Sequence, residues 1–269
     1  MIVISVTNMK GGTGKSTMAT HIAAGLAIRG SKVCVIDTDP QGHAATLLGL
    51  PKEDGLFAMI VDKANLTDIV RSVPPAVYTT ANRPPAGKLF LLPSNHKTHT
   101  IPFLEQDPFI FGERLDELAD LFNFDVVVID TAPTASMFDA SVYLATEGFI
   151  YITECETLSF DGIREGLGQI KRFSKKREAQ GAPPNRVLGI VPNKVRLSTS
   201  NHRRNLEKLH EAFPDKVWEP IAQRTVWTES SNYGQLIYAY APQSDAERDA
   251  WTLVDRTERI LAQWQAVSQ

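Results

Sequence analysis

Two lysines five positions apart, Lys10 and Lys15, bracket a glycine-rich run: Lys10-Gly11-Gly12-Thr13-Gly14-Lys15-Ser16-Thr17. Glycines let successive backbone N–H groups curl around an anion, and a helix that starts at the end of such a run adds partial positive charge. That chemistry is phosphate binding. Lys15 is placed to reach the β- and γ-phosphates of a nucleotide, and the Ser16 hydroxyl to ligate Mg²⁺. A second pair of candidates lies in Val35-Ile36-Asp37-Thr38-Asp39-Pro40-Gln41-Gly42. Its two carboxylates, spaced i, i+2, straddle a strand end, where ligands of open α/β sheets bind. A third lies in the run from Phe124 to Thr134, where Val126-Val127-Val128-Ile129 leads into Asp130. An acidic residue closing an apolar strand beside a phosphate-binding loop holds Mg²⁺ directly or through water.

The elements needed to position these groups are written in the hydrophobic pattern. The glycine-rich run follows the apolar Ile2-Val3-Ile4-Ser5-Val6 and precedes an Ala-rich helical segment closed by Gly30. Strands are predicted over 2–7, 32–37, 88–92, 125–130, 148–153, 187–192 and 217–221, several as continuous apolar runs that imply cover on both faces. Helices are predicted over 16–29, 112–122, 139–146, 159–179, 199–212 and 245–266. The alternation implies one α/β domain over 1–269, a mostly parallel twisted sheet with helices on both faces. Region 73–111, punctuated by Pro74-Pro75, Pro84-Pro85 and Asp107-Pro108, reads as loops around one strand.

With 269 residues, 43% hydrophobic and 22% charged, the composition is that of a globular protein with ample core. The net charge of −3 excludes an overall basic signature, so contact with nucleic acid has to come from a local patch. Two cysteines, Cys34 inside a strand-like run and Cys155 after another, make no disulfide framework and suit a reducing cytoplasm. The first strand begins at once, which leaves no room for a signal peptide, and no apolar run is long enough to span a bilayer.

The usual phosphate-loop spacing, G-x-x-x-x-G-K-[ST], would put glycine at position 9, where this chain has Met9, followed by Lys10. The form K-G-G-x-G-K-[ST] resembles the ParA/MinD family of P-loop ATPases. Further resemblance lies in Asp37-Thr38-Asp39-Pro40-Gln41-Gly42, in Pro93-Ser94-Asn95, in Glu154-Cys155-Glu156 with Phe160-Asp161-Gly162-Ile163, and in Tyr240-Ala241-Pro242-Gln243-Ser244. It is weakest across 51–87 and 96–120.

The resemblance implies ATP and Mg²⁺ as cofactors. The nucleotide would be held by Lys10, Gly11, Gly12, Thr13, Gly14, Lys15, Ser16 and Thr17, and its adenine edge by Asn193. Ser16, Asp37 and Asp130 would form or border the metal shell. Asp39 would orient the attacking water, and Lys10 would cross a homodimer interface to the partner's nucleotide. Lys10, Lys15 and Asp39 are therefore the catalytic set. Ala132 and Ala222 stand where relatives commonly have proline. An iron–sulfur role for the cysteines, as in a related iron protein, is not expected with Cys34 in a core strand.

Basic residues gather in the second half, at Lys171-Arg172, Lys175-Lys176-Arg177, Lys194, Arg196, Arg203, Arg204 and Lys208. ParA proteins resemble this arrangement, and their ATP dimer binds nonspecific DNA. Arg196, Arg203, Arg204 and Arg224 are the candidates here, with a ParB-like adaptor as partner and a nucleoid-associated place in the cytoplasm. No helix-turn-helix precedes the loop. The last helix, with Trp251, Val254, Ile260, Leu261 and Trp264 against a polar face of mixed sign, is expected to pack on the sheet rather than enter lipid. Two alternatives share the fold: a MinD-like membrane-associated positioning ATPase, and a biosynthetic P-loop ligase or kinase acting on a small molecule.

Overall fold

The computed structural model describes residues 1–133, 136–156 and 159–267; Thr134 of the third motif lies outside them. Seven strands form one sheet: β1 (Ile2–Thr7), β2 (Lys32–Asp37), β3 (Arg71–Ser72), β4 (Lys88–Leu92), β5 (Val126–Asp130), β6 (Gly148–Glu154) and β7 (Arg186–Asn193). Their order is β3-β4-β2-β5-β1-β6-β7. Every pairing is parallel except β3 with β4.

Alternate residues of each central strand feed opposite faces, and both faces are covered. Ile4, Val6, Val33, Val35, Val126 and Val128 share a buried cluster with helix α1 (Lys15–Ile28) and with Leu253, Val254 and Leu261 of the last helix, Asp245–Val267. Val3, Cys34, Ile36, Val127 and Ile129 pack on the other face against Phe111, Leu115 and Leu118 of helix Ile110–Phe122 and Val142 of helix Met137–Ala145. This two-sided cover is why the strands read as unbroken apolar runs. α1 is buried nearly all round because it lies between the sheet and the last helix. The last helix therefore packs as its sequence predicts. Among the described residues no helix is long and apolar enough to cross a membrane.

Two expectations need correction. Residues 217–221 lie parallel to β7 but form only isolated bridges, Ile190↔Val217 and, just beyond the run, Val195↔Ala222. Trp218 N donates to Ile190 O and Ile221 N to Pro192 O, but neither Pro192 nor the facing Pro220 has an N–H to donate, so the ladder breaks between them. Region 73–111 is more regular than loops around one strand. It holds short helices at Pro75–Tyr78 and Ile101–Leu104, a 3₁₀ segment at His96–Thr100, and the start of helix Ile110–Phe122.

Candidate nucleotide site

Parallel register brings the chemistry-bearing residues to one edge. β1 pairs Val6 with Asp130 of β5, and β2 pairs Asp37 with the same Asp130. The glycine-rich loop leaves β1, between β5 and β6, and enters α1, so it crosses the carboxyl ends of the central strands. Two glycines are required by geometry. Gly14 has φ +94°, and a Cβ there would sit 2.3 Å from Asn193 Nδ2; Gly42 has φ +62°, and its Cβ would sit 2.6 Å from Ser94 O.

Two amide side chains fix the loop: Asn8, which the sequence did not single out, and Asn193, which it did. Asn8 accepts from Lys10 N at 2.8 Å and from the Tyr151 hydroxyl at 3.2 Å, and donates to Ile152 O at 2.5 Å. Asn193 donates to Thr13 O at 2.7 Å and accepts from Lys194 N at 2.9 Å. Its amide is thus wedged under the loop at the edge of a cleft of about 290 Å³, which also holds Thr17, Met18, Arg224 and Trp227. The sequence signal for Asn8 was only an amide between the first strand and the glycines. Gly11 and Gly12 are exposed and Thr13 is fully buried, its hydroxyl oxygen without a partner.

The two lysines have opposite surroundings. Lys15 is buried, its ammonium 3.4 Å from Lys10 O. Burial lowers its pKa, opposed by the charges of Asp130 and Asp39. The Lys10 side chain is 51% exposed, and its Nζ lies 2.8 Å from both Glu154 and Glu156. Those contacts raise its pKa. Lys194 Nζ bridges Glu154, at 3.2 Å, and Gly12 O, at 2.5 Å. Burial alone would raise the Glu154 carboxyl; Lys10 and Lys194 hold it below its ordinary value. Glu154 and Glu156 entered the sequence reading only as a family pattern, without this ion-pair role.

Three carboxylates face the loop. Asp37 is fully buried and accepts from Asp39 N at 2.9 Å and Ala44 N at 3.0 Å, so it also ties down the start of helix α2 (His43–Leu47). Asp39 accepts from Gln41 N at 2.9 Å, and its carbonyl receives the buried Ser94 hydroxyl at 2.5 Å. This gives the Pro-Ser-Asn segment a role in holding Asp39. Asp130 is fully buried, and neither of its oxygens meets hydrogen-bond geometry. Burial raises its pKa, while the nearby Ser16 hydroxyl and Lys15 charge favour the ionised form. Burial and the charge of Asp130 hold Asp37 well above the usual carboxylate range. Among the described residues no three His, Cys, Asp or Glu side chains form a metal cage. An orphaned carboxylate beside the Ser16 hydroxyl fits a Mg²⁺ ion that takes its other ligands from phosphate and water.

His21, one turn after Thr17 on α1, couples the loop to the cleft wall. Its Nδ1–H donates to Thr17 O at 2.7 Å, its Nε2 accepts from Ile237 N at 3.0 Å, and Trp227 meets its ring edge-on at 5.1 Å. Burial pushes the imidazole down to about 4, against the pull of the Thr17 carbonyl. An unfolded histidine takes up its proton near pH 6.5. The unfolded chain therefore gains a proton that the folded one refuses, and stability is lost as pH falls from there towards 4. Between pH 7.5 and 5.0 this amounts to about 2 kcal/mol. Urea unfolding of wild type and His21→Gln at both pH values should show that much extra loss in the wild type; equal losses would contradict it.

The basic candidates separate. Arg203 and Arg204 are exposed neighbours on helix Ser200–Ala212, and Arg203 donates to Leu197 O at 3.2 Å. Arg196 is exposed and donates to Gln223 Oε1. Arg224 is turned to the last helix, 3.7 Å from Asp245 and 3.4 Å from Asp249. Arg177 leaves the surface cluster in which the sequence placed it. Its side chain is buried and donates to Pro183 O at 2.9 Å and to Leu144 O, so it ties helix Ser159–Ala179 to the chain before β6.

A family model described as an AAA domain matches residues 1–180. The sporulation initiation inhibitor protein Soj of Bacillus subtilis is 24% identical over 266 residues, covering 97% of this chain and 98% of its own length. Apo McdA from Cyanothece superposes with a TM-score of 0.77 at 22% identity, over 96% of this chain and 99% of its own. The septum site-determining protein MinD of Pyrococcus horikoshii, complexed with Mg-ADP, gives 0.72 at 20% identity over 96% of each chain. The two-lysine loop, the buried carboxylates behind it, the sheet order and these matches lead to one assignment: the chain belongs to the ParA family of P-loop ATPases.

Proposed function

We propose that this chain is an ATP-hydrolysing switch of the ParA type. In its ATP form it pairs with a second copy and binds DNA without sequence preference. Hydrolysis, stimulated by a ParB-like adaptor, releases it, and repeated cycles segregate or position a plasmid, a chromosome or a protein assembly. One observation carries the reading: Lys15 is buried toward Asp130 and Asp39, while Lys10, from the same loop, faces outward with half its surface exposed. A phosphotransferase that works alone needs only the first lysine. Lys10 faces solvent, where a second copy can meet it.

Within the subunit, the backbone from Gly11 to Thr17 and the Lys15 ammonium hold the phosphates. Ser16 and Asp130, with Asp37 behind them, would hold Mg²⁺, which supplies positive charge at the β- and γ-oxygens. Asp39 is pinned by Gln41 N and by Ser94 on its carbonyl, which fixes the carboxylate that orients water for in-line attack. Asn193 and the cleft beside Trp227 would take the base. The membrane-associated alternative needs an amphipathic helix free to enter lipid, whereas the last helix buries Leu253, Val254 and Leu261 against the core.

Asp39→Ala is expected to bind ATP and self-associate like wild type while turnover drops by about a hundredfold or more, within the range a positioned base contributes. Phosphate release measured beside ATP affinity checks this, and wild-type turnover would place the catalytic role elsewhere. For DNA, Arg203→Glu with Arg204→Glu should flatten the dependence of binding on salt, by about 1 unit of log–log slope per lost phosphate contact. ATP hydrolysis without DNA should be nearly unchanged. An unaltered slope would remove these two residues from the DNA face.

A further inference from the structure

The strand that ends in Asn193 at the nucleotide cleft begins, at Arg186, beside a second cleft of about 490 Å³. Seven steps along β7 put the two ends about 23 Å apart, so nothing bound here touches the nucleotide. Leu188, Trp218 and Ile260 line its apolar part. Arg186, Lys216, Arg256 and Arg259 line it with a single carboxylate, Asp215.

Six arginines elsewhere, Arg29, Arg71, Arg83, Arg114, Arg224 and Arg248, have carboxylate partners, whereas among the described residues Arg196, Arg203 and Arg204 have none. Among the described residues, none of the four cations of this cleft has a carboxylate within ion-pair distance. The chain as a whole carries −3, while this one cleft carries four positive charges and one negative. Two of the cations are also held in place. Lys216 Nζ donates to Val187 O at 3.0 Å. The Arg186 guanidinium lies 5.0 Å from the Trp264 ring, which fits against the bare face of Gly148, where a Cβ would come within 2.6 Å of it. Arg256, Arg259, Ile260 and Gln263, at i, i+3, i+4 and i+7, share one face of the last helix and turn it toward the cleft.

We infer that this cleft binds a small, multiply charged phosphate ester at a site separate from the nucleotide. Asp215, even with the Glu147 charge that Arg186 also feels, leaves about half of the positive charge unbalanced, whereas one or two phosphate groups match it, and arginine forks suit their oxygens. The volume is that of a small-molecule site, and the apolar wall offers a surface for the ligand's carbon body.

The test uses inorganic tripolyphosphate, titrated calorimetrically without Mg²⁺ into Lys15→Ala, in which the other phosphate site has lost its lysine. Saturable binding of one equivalent, weakening with salt, is expected. Adding Arg256→Ala and Arg259→Ala should reduce affinity by about tenfold or more, as the loss of charge-assisted bonds requires. Adding Arg203→Glu and Arg204→Glu instead should leave it unchanged. Absence of saturable binding, or equal affinity after the Arg256 and Arg259 changes, would overturn the site. If short duplex DNA binds through Arg256 and Arg259 while tripolyphosphate does not, the cleft serves a nucleic-acid backbone and the small-ligand assignment fails.

Discussion

Lys15→Ala is expected to lose nucleotide binding almost completely while the fold stays intact. The ammonium sits at the start of α1, buried, with Asp130 and Asp39 near enough to stabilise its charge. An arriving triphosphate brings several negative charges to a place where two buried carboxylates, Asp37 and Asp130, already stand in register. No other lysine or arginine side chain from the loop points inward, because Lys10 is turned out to Glu154 and Glu156. A unit charge pair at about 4 Å in a partly screened site is worth about 4 kcal/mol, or roughly a thousandfold in affinity. Calorimetric titration with Mg·ATP measures this directly, with a thermal melt as control for folding. Affinity within a few-fold of wild type would remove the loop from phosphate binding.

How much of this was legible in the sequence depended on how local each cause is. The glycine-rich loop was readable because phosphate binding needs its residues adjacent in the chain. The central strands were readable because two-sided burial writes itself as uninterrupted Val and Ile. β3 was not, since Arg71 and Ser72 show no alternation and pair only because β4 offers them an edge. The short helix Gly55–Ile60 is likewise held by tertiary contact, with Gly55 packed on Pro93 and Leu56 N bonded to Pro93 O. Over 217–221 two prolines act together: Pro192 of β7 and Pro220 of the segment itself have no N–H to donate, so two successive ladder bonds are missing, and only the second cause lies in the run itself. At the site, Asp37, Asp39 and Asp130 were visible as strand-end carboxylates. The Asn8 bracing, the Ser94 contact and the His21 link were not, because each joins residues whose partner lies elsewhere in the chain or is a backbone atom. Arg177 was misplaced for the opposite reason: a basic run marks a solvated helix face, and one member can still turn inward to carbonyls.

The proposed function requires that Lys10 serve a second subunit. In the isolated chain it makes two exposed ion pairs, of a kind worth about 0–1 kcal/mol each, so it is cheaply released and contributes little to monomer stability. If it acted only within its own subunit or in solvent, Lys10→Ala would hydrolyse ATP and associate like wild type. If it reaches the partner's phosphates, the substitution leaves two polyphosphates facing each other with two positive charges missing. Like charges brought together at a largely dehydrated interface are strongly unfavourable, and pairing should fail. ATP affinity of the monomer should fall far less than in Lys15→Ala, since Lys15 and the loop backbone remain.

Sedimentation velocity of wild type and Lys10→Ala with saturating Mg·ATP, each also carrying Asp39→Ala to suppress turnover, decides the matter. The expected result is a dimer for the protein with Lys10 and a nucleotide-bound monomer for the protein without it. An ATP-dependent dimer that forms equally well without Lys10 would contradict the account.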